Sequence, residues 1–543
     1  MRTSSGKTGK AITITVFLST PARQRRACRG RRAALRLGLY GVVAWQGSRH
    51  FLPSKPKTGL LGTLRRGGLV QRRNCAGTSL TGLGLSMIVM KFGGTSVEDA
   101  AAIQRVACIV QERLPLQPVV VVSAMSKMTD QLLAMGRAAG ESNRAAALDL
   151  ARAARERHYV TASELLGSGS FTELHAELAA MFDALDELLR GIVAVGELTP
   201  RTTDYVLSFG ERLSSRLVTA AFVAHGLRAV LVDAREVMLT DATHTRAIPQ
   251  MEEIDDRLEL LVRPLVAEGF VPVMGGFIGA TADGIPTTIG RGGSDFSAAI
   301  VGAGLEAERI EIWTDVDGMK TTDPSLCPGA RRIKEIGFEE AAELAYFGAK
   351  VLHPATLLPA IQKNIPVLVL NSCNPRNEGT RITARGVRTT NVFKAIAAKK
   401  RITIVDVVAA RMLMAHGFLK TIFDVFDKHR CPVDVVSTSE VSISLTVDSN
   451  EAIPAIAADL RDLAYVSYEG RKAIVCLVGE NLRGTPGIAA KVFAAISDIN
   501  VRMISQGASE INITFVIEED DVPEVVQRLH AAFFTEVDPG VFD

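Results

Sequence analysis

The chain runs to 543 residues, 47% hydrophobic but only 5% aromatic, which speaks against one compact unit and suits roughly two to four units with Ala-, Val- and Leu-rich α/β layers. The net charge of +3 hides an asymmetry: residues 1–86 carry 17 of the 62 Lys and Arg and no Asp or Glu, leaving 45 basic against 59 acidic residues from Met87 onward. An acidic body argues against nucleic acid as a partner, no apolar run approaches the roughly 20 residues of a membrane span, and seven scattered cysteines without a CxxC pair argue against a disulfide framework or a cysteine-held metal.

In the first 86 residues Arg25, Arg26, Arg29, Arg31 and Arg32 crowd together among Ser, Thr and Gly, with no periodic apolar face. Two readings stay open: an organelle transit peptide, or upstream sequence ahead of a true start at Met87. Either keeps this stretch out of the fold, and the reduced-thiol reading makes the cytoplasm the expected compartment, or a plastid if the leader is real.

From Met87 short β-rich runs alternate with helical patterns. A strand is expected at 88–92, a helix at 97–113, and further strands at 119–123, 228–233, 270–277, 309–314 and 367–371. This alternation predicts a mainly parallel sheet with helices on both faces, and ligands of such sheets gather beyond the carboxyl ends of the strands.

Several polar segments sit at those ends. Lys91, Phe92, Gly93, Gly94, Thr95 and Ser96 follow the first strand, where bare amides and an ammonium can meet phosphate oxygens; the plain alternative is a tight turn with a surface lysine. Gly290, Arg291, Gly292, Gly293, Ser294 and Asp295 open a helix expected at 296–303, and Arg291 offers a fork to a carboxylate. Glu211, within a glycine-interrupted helical pattern, is either a holder of a substrate ammonium or a solvated helix-end charge. Thr314 and Asp315 end a strand and lead through Gly318 into a polar loop, and Lys350 and Val351 follow Gly348. With no Cys/His cluster and no nucleophile paired to a base, the set points to a reaction that mainly needs charge neutralised, so phosphoryl transfer fits. A carboxylate acceptor would need no general base, being ionised already. The residues by themselves lead to a small-molecule kinase.

After residue 391 the pattern changes and a repeat appears at an offset of 70: Gly417, Phe423, Ser439, Glu440, Ile443 and Val447 align with Gly487, Phe493, Ser509, Glu510, Ile513 and Ile517. Each copy reads as a glycine turn, a helix (418–429; 488–499), a strand, a Ser-Glu turn and a strand. Such small units are expected to pack on one another or on a second subunit.

Together, KFGGTS (91–96), FGERLSS (209–215), GRGGSD (290–295), WTD (313–315) and FGAKVLHP (347–354) closely resemble the aspartate kinase family of the amino-acid kinase superfamily. The resemblance implies a carbamate-kinase-like three-layer α/β fold with a mainly parallel sheet over 87–390, followed by two α+β ferredoxin-like ACT domains over 391–468 and 469–543, one of them threaded within the other. It implies transfer of the ATP γ-phosphate to the β-carboxylate of L-aspartate, with Mg2+ accompanying the nucleotide and no metal held by the protein's own ligand set. By motif position, Lys91, Arg291 and Asp295 are the catalytic residues. Lys91, Phe92, Gly93, Gly94, Thr314, Asp315, Lys350 and Val351 meet ATP, and Thr129, Glu211, Arg291 and Ser294 hold aspartate. Lys320 and Ser325 depart from the family's usual Tyr and Arg in the nucleotide loop.

The tail resembles that of monofunctional, lysine-inhibited members, which implies L-lysine, or alternatively threonine, as effector at Phe418, Leu419, Val433, Asp434, Ser439 and Glu440. A homodimer or larger homo-oligomer formed through the ACT domains is expected.

Overall fold

The computed structural model describes residues 87–543 except 291, 349–353, 388, 390, 410–415 and 450, so the leader lies outside the described residues. Among the described residues ten strands build the first part: β1 (Ile88–Phe92), β2 (Pro118–Val122), β3 (Ala229–Val232), β4 (Val271–Gly275), β5 (Ile278–Ala280), β6 (Pro286–Thr288), β7 (Arg309–Thr314), β8 (Glu335–Gly337), β9 (Val367–Asn371) and β10 (Thr380–Thr383). Eight of them form one sheet in the order β3-β4-β2-β1-β7-β9-β10-β8, while β5 and β6 form a separate hairpin. All pairings from β3 to β9 are parallel, and only β10 runs against its neighbour β9. The expected strands at 88–92, 309–314 and 367–371 are found with those bounds.

β1 and β2 are buried along their whole length, the signature of a parallel sheet covered on both faces. Alternation along β1 sends Ile88, Met90 and Phe92 into the core under helices Ala100–Arg113, Met128–Gly140 and Pro200–Ala224. Met87 and Val89 enter the opposite core with helices Met251–Leu261 and Gly293–Gly304. With a period of two, Lys91 faces that second side. The helix expected at 97–113 starts later, because Gly94–Val97 forms a 3-10 turn and the Asp99 carboxylate then caps the helix by accepting from the Ala102 amide at 2.8 Å.

The tail forms six antiparallel strands: β11 (Phe393–Val408), β12 (Val433–Thr438), β13 (Ser442–Asp448), β14 (Tyr465–Gly479), β15 (Met503–Gln506) and β16 (Asn512–Glu518), ordered β12-β13-β11-β14-β16-β15. The repeat keeps its offset: Gly417 (φ 82°) and Gly487 (φ 76°) start equivalent helices, and β12, β13 match β15, β16. Both glycines sit in the left-handed region that disfavours a side chain. The two copies share one sheet through the long strands β11 and β14, and residue 468 falls within β14. Their cores differ. Val405, Val407, Ile422, Phe426 and Leu445 form a cluster of their own, whereas Ile474, Leu477, Phe515 and Leu529 of the second copy are continuous with Ile336, Phe338 and Val369.

Among the described residues no helix is long and apolar enough to cross a membrane. One buried ion pair bolts the two sheets together. Lys394 on β11 places Nζ 2.8 Å from Glu340 Oε2, at the start of helix Phe338–Tyr346, and that oxygen also accepts from the Gly337 amide at 2.9 Å. Lys394→Met strands the carboxylate and is expected to cost about 3–5 kcal/mol, whereas Lys394→Met with Glu340→Gln should recover part of the loss. Thermal unfolding of the two variants checks the order.

Candidate functional site

The carboxyl ends of β1, β2, β4 and β7 converge on one edge of the parallel sheet, and the polar segments collect there. Lys91 is buried, and its Nζ stands 2.6 Å from Asp295 Oδ1 in the first turn of helix Gly293–Gly304. The Gly93 amide donates to the Trp313 carbonyl at 3.0 Å, so the glycine turn lies against the end of β7. A Cβ at Gly93 would stand over the Lys91 ammonium at 3.7 Å, and one at Gly94 would meet the Ala124 carbonyl at 3.0 Å. Lys91 is therefore no surface lysine. Ser96 serves as a tie, its hydroxyl 2.8 Å from that of Ser372.

Glu211 is not a helix-end charge either. It lies in the middle of helix Pro200–Ala224, 3% exposed, in space left by glycines: a Cβ on Gly275 would reach its Cβ at 2.9 Å, and one on Gly210 would reach Ala124 Cβ at the same distance. Oε1 accepts from the Ala124 amide at 3.2 Å, and Oε2 has no hydrogen-bond partner among the described residues. Burial pushes its carboxyl up to about 8. Such a group stays protonated until a cation joins it.

Ser294 packs against the end of β4, where a Cβ on Gly276 would approach its Cα to 2.7 Å. Ser297 locks the same junction, accepting from the Phe277 amide and donating to the Gly293 carbonyl, both at 2.9 Å. Thr129 lies half-buried in the first turn of helix Met128–Gly140, just beyond the Ala124 amide that holds Glu211. Arg291 lies outside the described residues, between Gly290 (φ 83°) and Gly292 (φ 69°).

One group escaped sequence reasoning. Asp204, fully buried, accepts from Thr288 Oγ1 at 2.6 Å and from the Thr245 amide at 2.9 Å, and its Oδ2 meets His244 Nδ1 at 2.8 Å. It stands two turns before Glu211 on the same helix, while Thr288 ends β6, three residues before Arg291. One helix thus carries two buried carboxylates, one of which ties Thr245 and the end of β6 to it. No local motif marks Asp204, because its partners lie 40 to 84 residues away.

Beyond β7 opens a cavity of ≈ 550 Å³, walled by Thr314, Asp315, Asp317, Lys320, Thr322 and Pro324 on one side. Leu344, Gly348 and Ile396–Ala398 of β11 form the rest of the wall, a contribution from the tail sheet that sequence reasoning missed. Lys320 lines the cavity, whereas Ser325 turns its hydroxyl and amide to Asp323 Oδ1, at 2.7 and 2.8 Å. Lys350 and Val351 lie outside the described residues, following Gly348 on the wall. No group of three or more His, Cys, Asp or Glu suited to a metal occurs among the described residues.

In the tail, Val433 and Asp434 share β12, the start of the helix at Phe418 and Leu419 follows Gly417, and Ser439 and Glu440 form the exposed turn between β12 and β13. Ser439 is engaged in shaping that turn, its hydroxyl accepting from the Ser442 amide at 3.2 Å. The Asp434 carboxylate is held by Lys399 and Tyr346.

Asp204→Asn keeps the shape of the anchor but replaces one acceptor by a donor facing Thr288 or His244. For a substrate held by Glu211 and Ser294, the KM is expected to rise about tenfold, with the KM of a ligand in the cavity beyond β7 nearly unchanged. A purely structural role would lower stability without that split, so steady-state kinetics for both substrates beside a melting curve decides.

Residues 86–371 match the amino acid kinase family, and residues 475–533 match an ACT domain. The chain is 39% identical to the chloroplastic aspartokinase 2 of Arabidopsis thaliana over 490 residues, 87% of this chain and 88% of that one. It is 36% identical to the lysine-sensitive aspartokinase 3 of Escherichia coli (strain K12) over 461 residues, 82% of this chain and 99% of that one. The structure is similar to that of E. coli aspartokinase III in complex with aspartate and ADP (R-state), with a TM-score of 0.74 at 35% identity, covering 82% of this chain and 100% of the other. The same enzyme in complex with lysine and aspartate (T-state) gives 0.72 at 35% identity, covering 83% and 100%. A glycine turn beside a buried lysine, a facing aspartate and an ACT-containing tail occur here in a chain that aligns with aspartokinases over most of its length, and the protein belongs to the aspartokinase family of phosphotransferases with a carboxyl acceptor.

Proposed function

We propose that this chain transfers the γ-phosphoryl group of ATP to the β-carboxylate of L-aspartate, giving 4-phospho-L-aspartate and ADP at the first step of lysine, threonine and methionine biosynthesis, under feedback inhibition by L-lysine. The observation that carries the reading is the buried Lys91 ammonium, held by Asp295 near the carboxyl end of the central strand, directly before the glycine turn. In the reaction a β-carboxylate oxygen forms a bond to the γ-phosphorus while the bond from that phosphorus to the β,γ-bridging oxygen breaks, and ADP leaves with the electron pair. No proton need move, so the protein's task is position and charge.

Lys91 neutralises the transferring phosphoryl group, Asp295 fixes its ammonium, and the amides of Gly93 and Gly94 line the same oxygens. Phe92, Thr314, Asp315, Lys350 and Val351 complete the ATP site. Arg291 takes a carboxylate of aspartate, Glu211 its ammonium, and Ser294 and Thr129 orient it. A magnesium ion that arrives on the nucleotide would find the carboxylates of Asp315 and Asp317 on the cavity wall. When bound, such an ion offsets phosphate charge.

Supporting the effector reading, the E. coli relative is lysine-sensitive by name and one of its structures holds lysine. Leu419 and Phe423, exposed at 43% and 38% on one face of helix Phe418–Lys428, support self-association through the tail. The cytoplasm remains the proposed compartment; the chloroplastic names of relatives favour the plastid alternative for an acid-free leader, and a peptide map of the native N-terminus distinguishes them.

Acyl phosphate formed from L-aspartate and ATP, trapped with hydroxylamine, tests the activity; L-lysine should suppress it and L-threonine should not. No turnover by folded protein sinks the reading.

The Glu211 carboxyl, raised to about 8, must lose its proton to meet the substrate ammonium. The aspartate KM should therefore fall by roughly tenfold per pH unit as pH rises toward 8, then level off. Glu211→Gln should raise the KM about 10- to 100-fold and flatten this profile. A KM independent of pH in the wild-type protein counts against the role.

A further inference from the structure

Asp434, a carboxylate among the residues expected to meet the effector and the one proposed here to take its ammonium, is already occupied. Its side chain is 4% exposed, and Lys399 Nζ lies 3.0 Å from Oδ1 and 2.9 Å from Oδ2. Oδ1 also accepts from the Tyr346 hydroxyl at 2.6 Å. The Lys399 ammonium reaches Asp448 Oδ1 as well, at 3.0 Å, and sits 5.3 Å from the centre of the Tyr346 ring. A second ammonium cannot join this buried carboxylate without facing the first at repulsive range. The effector must displace Lys399, and Asp448 remains to receive it.

The three residues come from three different segments. Asp434 belongs to the first tail copy, Lys399 to β11, and Tyr346 is the last residue of helix Phe338–Tyr346. Two of these segments are walls of the nucleotide cavity: Leu344 and Gly348 flank Tyr346, and Ile396–Ala398 immediately precede Lys399. Contact between them is backbone-close, since a Cβ on Gly348 (φ 138°) would come within 2.5 Å of the Ala398 carbonyl oxygen. A shift of either Tyr346 or Lys399 therefore reshapes the cavity, and packed elements move as units.

We propose that Lys399, Asp434 and Tyr346 form a clasp that an effector ammonium opens by taking the place of Lys399, and that this opening carries effector binding to the nucleotide cavity. Lys399 acts as a tethered competitor that sets the effector concentration needed. Tyr346 acts as the link, its hydroxyl bound to Asp434 only while the clasp is closed. The proposal rests on the effector reading of Asp434. Coupling of this kind is reciprocal: if lysine alters nucleotide affinity, nucleotide alters lysine affinity by the same factor.

Calorimetric titration of the full chain with L-lysine, with and without saturating ADP, tests it. Lys399→Met should tighten lysine binding about tenfold by removing the competitor, with Lys399→Gln standing in if the first variant does not fold. Tyr346→Phe, which removes a single hydroxyl, should still bind lysine but lose most of the dependence of lysine Kd on ADP. Unchanged or weaker lysine binding in the Lys399 variants overturns the competition. Wild-type ADP dependence in Tyr346→Phe, or none in the wild-type chain, overturns the link. A wild-type chain that binds no lysine at all overturns the effector reading itself and the clasp with it, an outcome distinct from binding that the variants leave unaltered.

Discussion

A lysine ammonium buried at the end of the central strand of a parallel sheet is the constraint on which the rest of this structure turns. An uncompensated cation there would be driven neutral or would unfold the edge of the sheet. Asp295 supplies the counter-charge from the neighbouring helix, so Lys91 stays both dry and oriented. That requirement fixes the helix Gly293–Gly304 against β1, and with it Ser294 and the glycines on either side of Arg291. The buried lysine charge is thus held in place by the packing that makes the fold.

The glycines around this pair work by absence. Gly275, Gly276 and Gly210 let two helices and the end of β4 approach until a methyl group would collide, and the carboxylate of Glu211 occupies the resulting seam. Burial without a full set of partners makes that carboxyl a poor acid. Asp204 completes the arrangement from the same helix. Its acceptor oxygens draw the 244–245 loop and the end of β6 together against the helix that carries Glu211.

The tail is joined to this machinery more closely than a separate sensor would be. The second copy's core runs on from that of the parallel sheet, the Lys394–Glu340 pair bridges the two in the interior, and β11 forms part of the wall of the cavity beyond β7. The first copy keeps a core of its own and meets helix Phe338–Tyr346 through Asp434. One copy is built in, while the other has a polar contact that can be exchanged for another polar contact at modest cost.

The sequence by itself determined the strands β1, β7 and β9, short β-rich runs whose ends are written in local composition. It also determined the repeat, whose 70-residue offset survives strand for strand, and the motif glycines and charges at the strand ends. These are local properties: period, turn chemistry and residue type act over a few positions. The four helices between 128 and 224 had no comparable local marker beyond the FGERLSS segment, and their packing on β1 and β2 emerges only from the core they share. What the tertiary structure alone decided are relations across long separations. Glu211 became a buried carboxyl because a glycine from another strand made room for it, and Asp204 became an anchor because loops far along the chain returned to it. The two tail copies became one sheet because β11 and β14 are long enough to serve both. Asp434 met Lys399 and Tyr346 because the chain folded three distant segments to one point, and no spacing in a linear sequence encodes such a meeting.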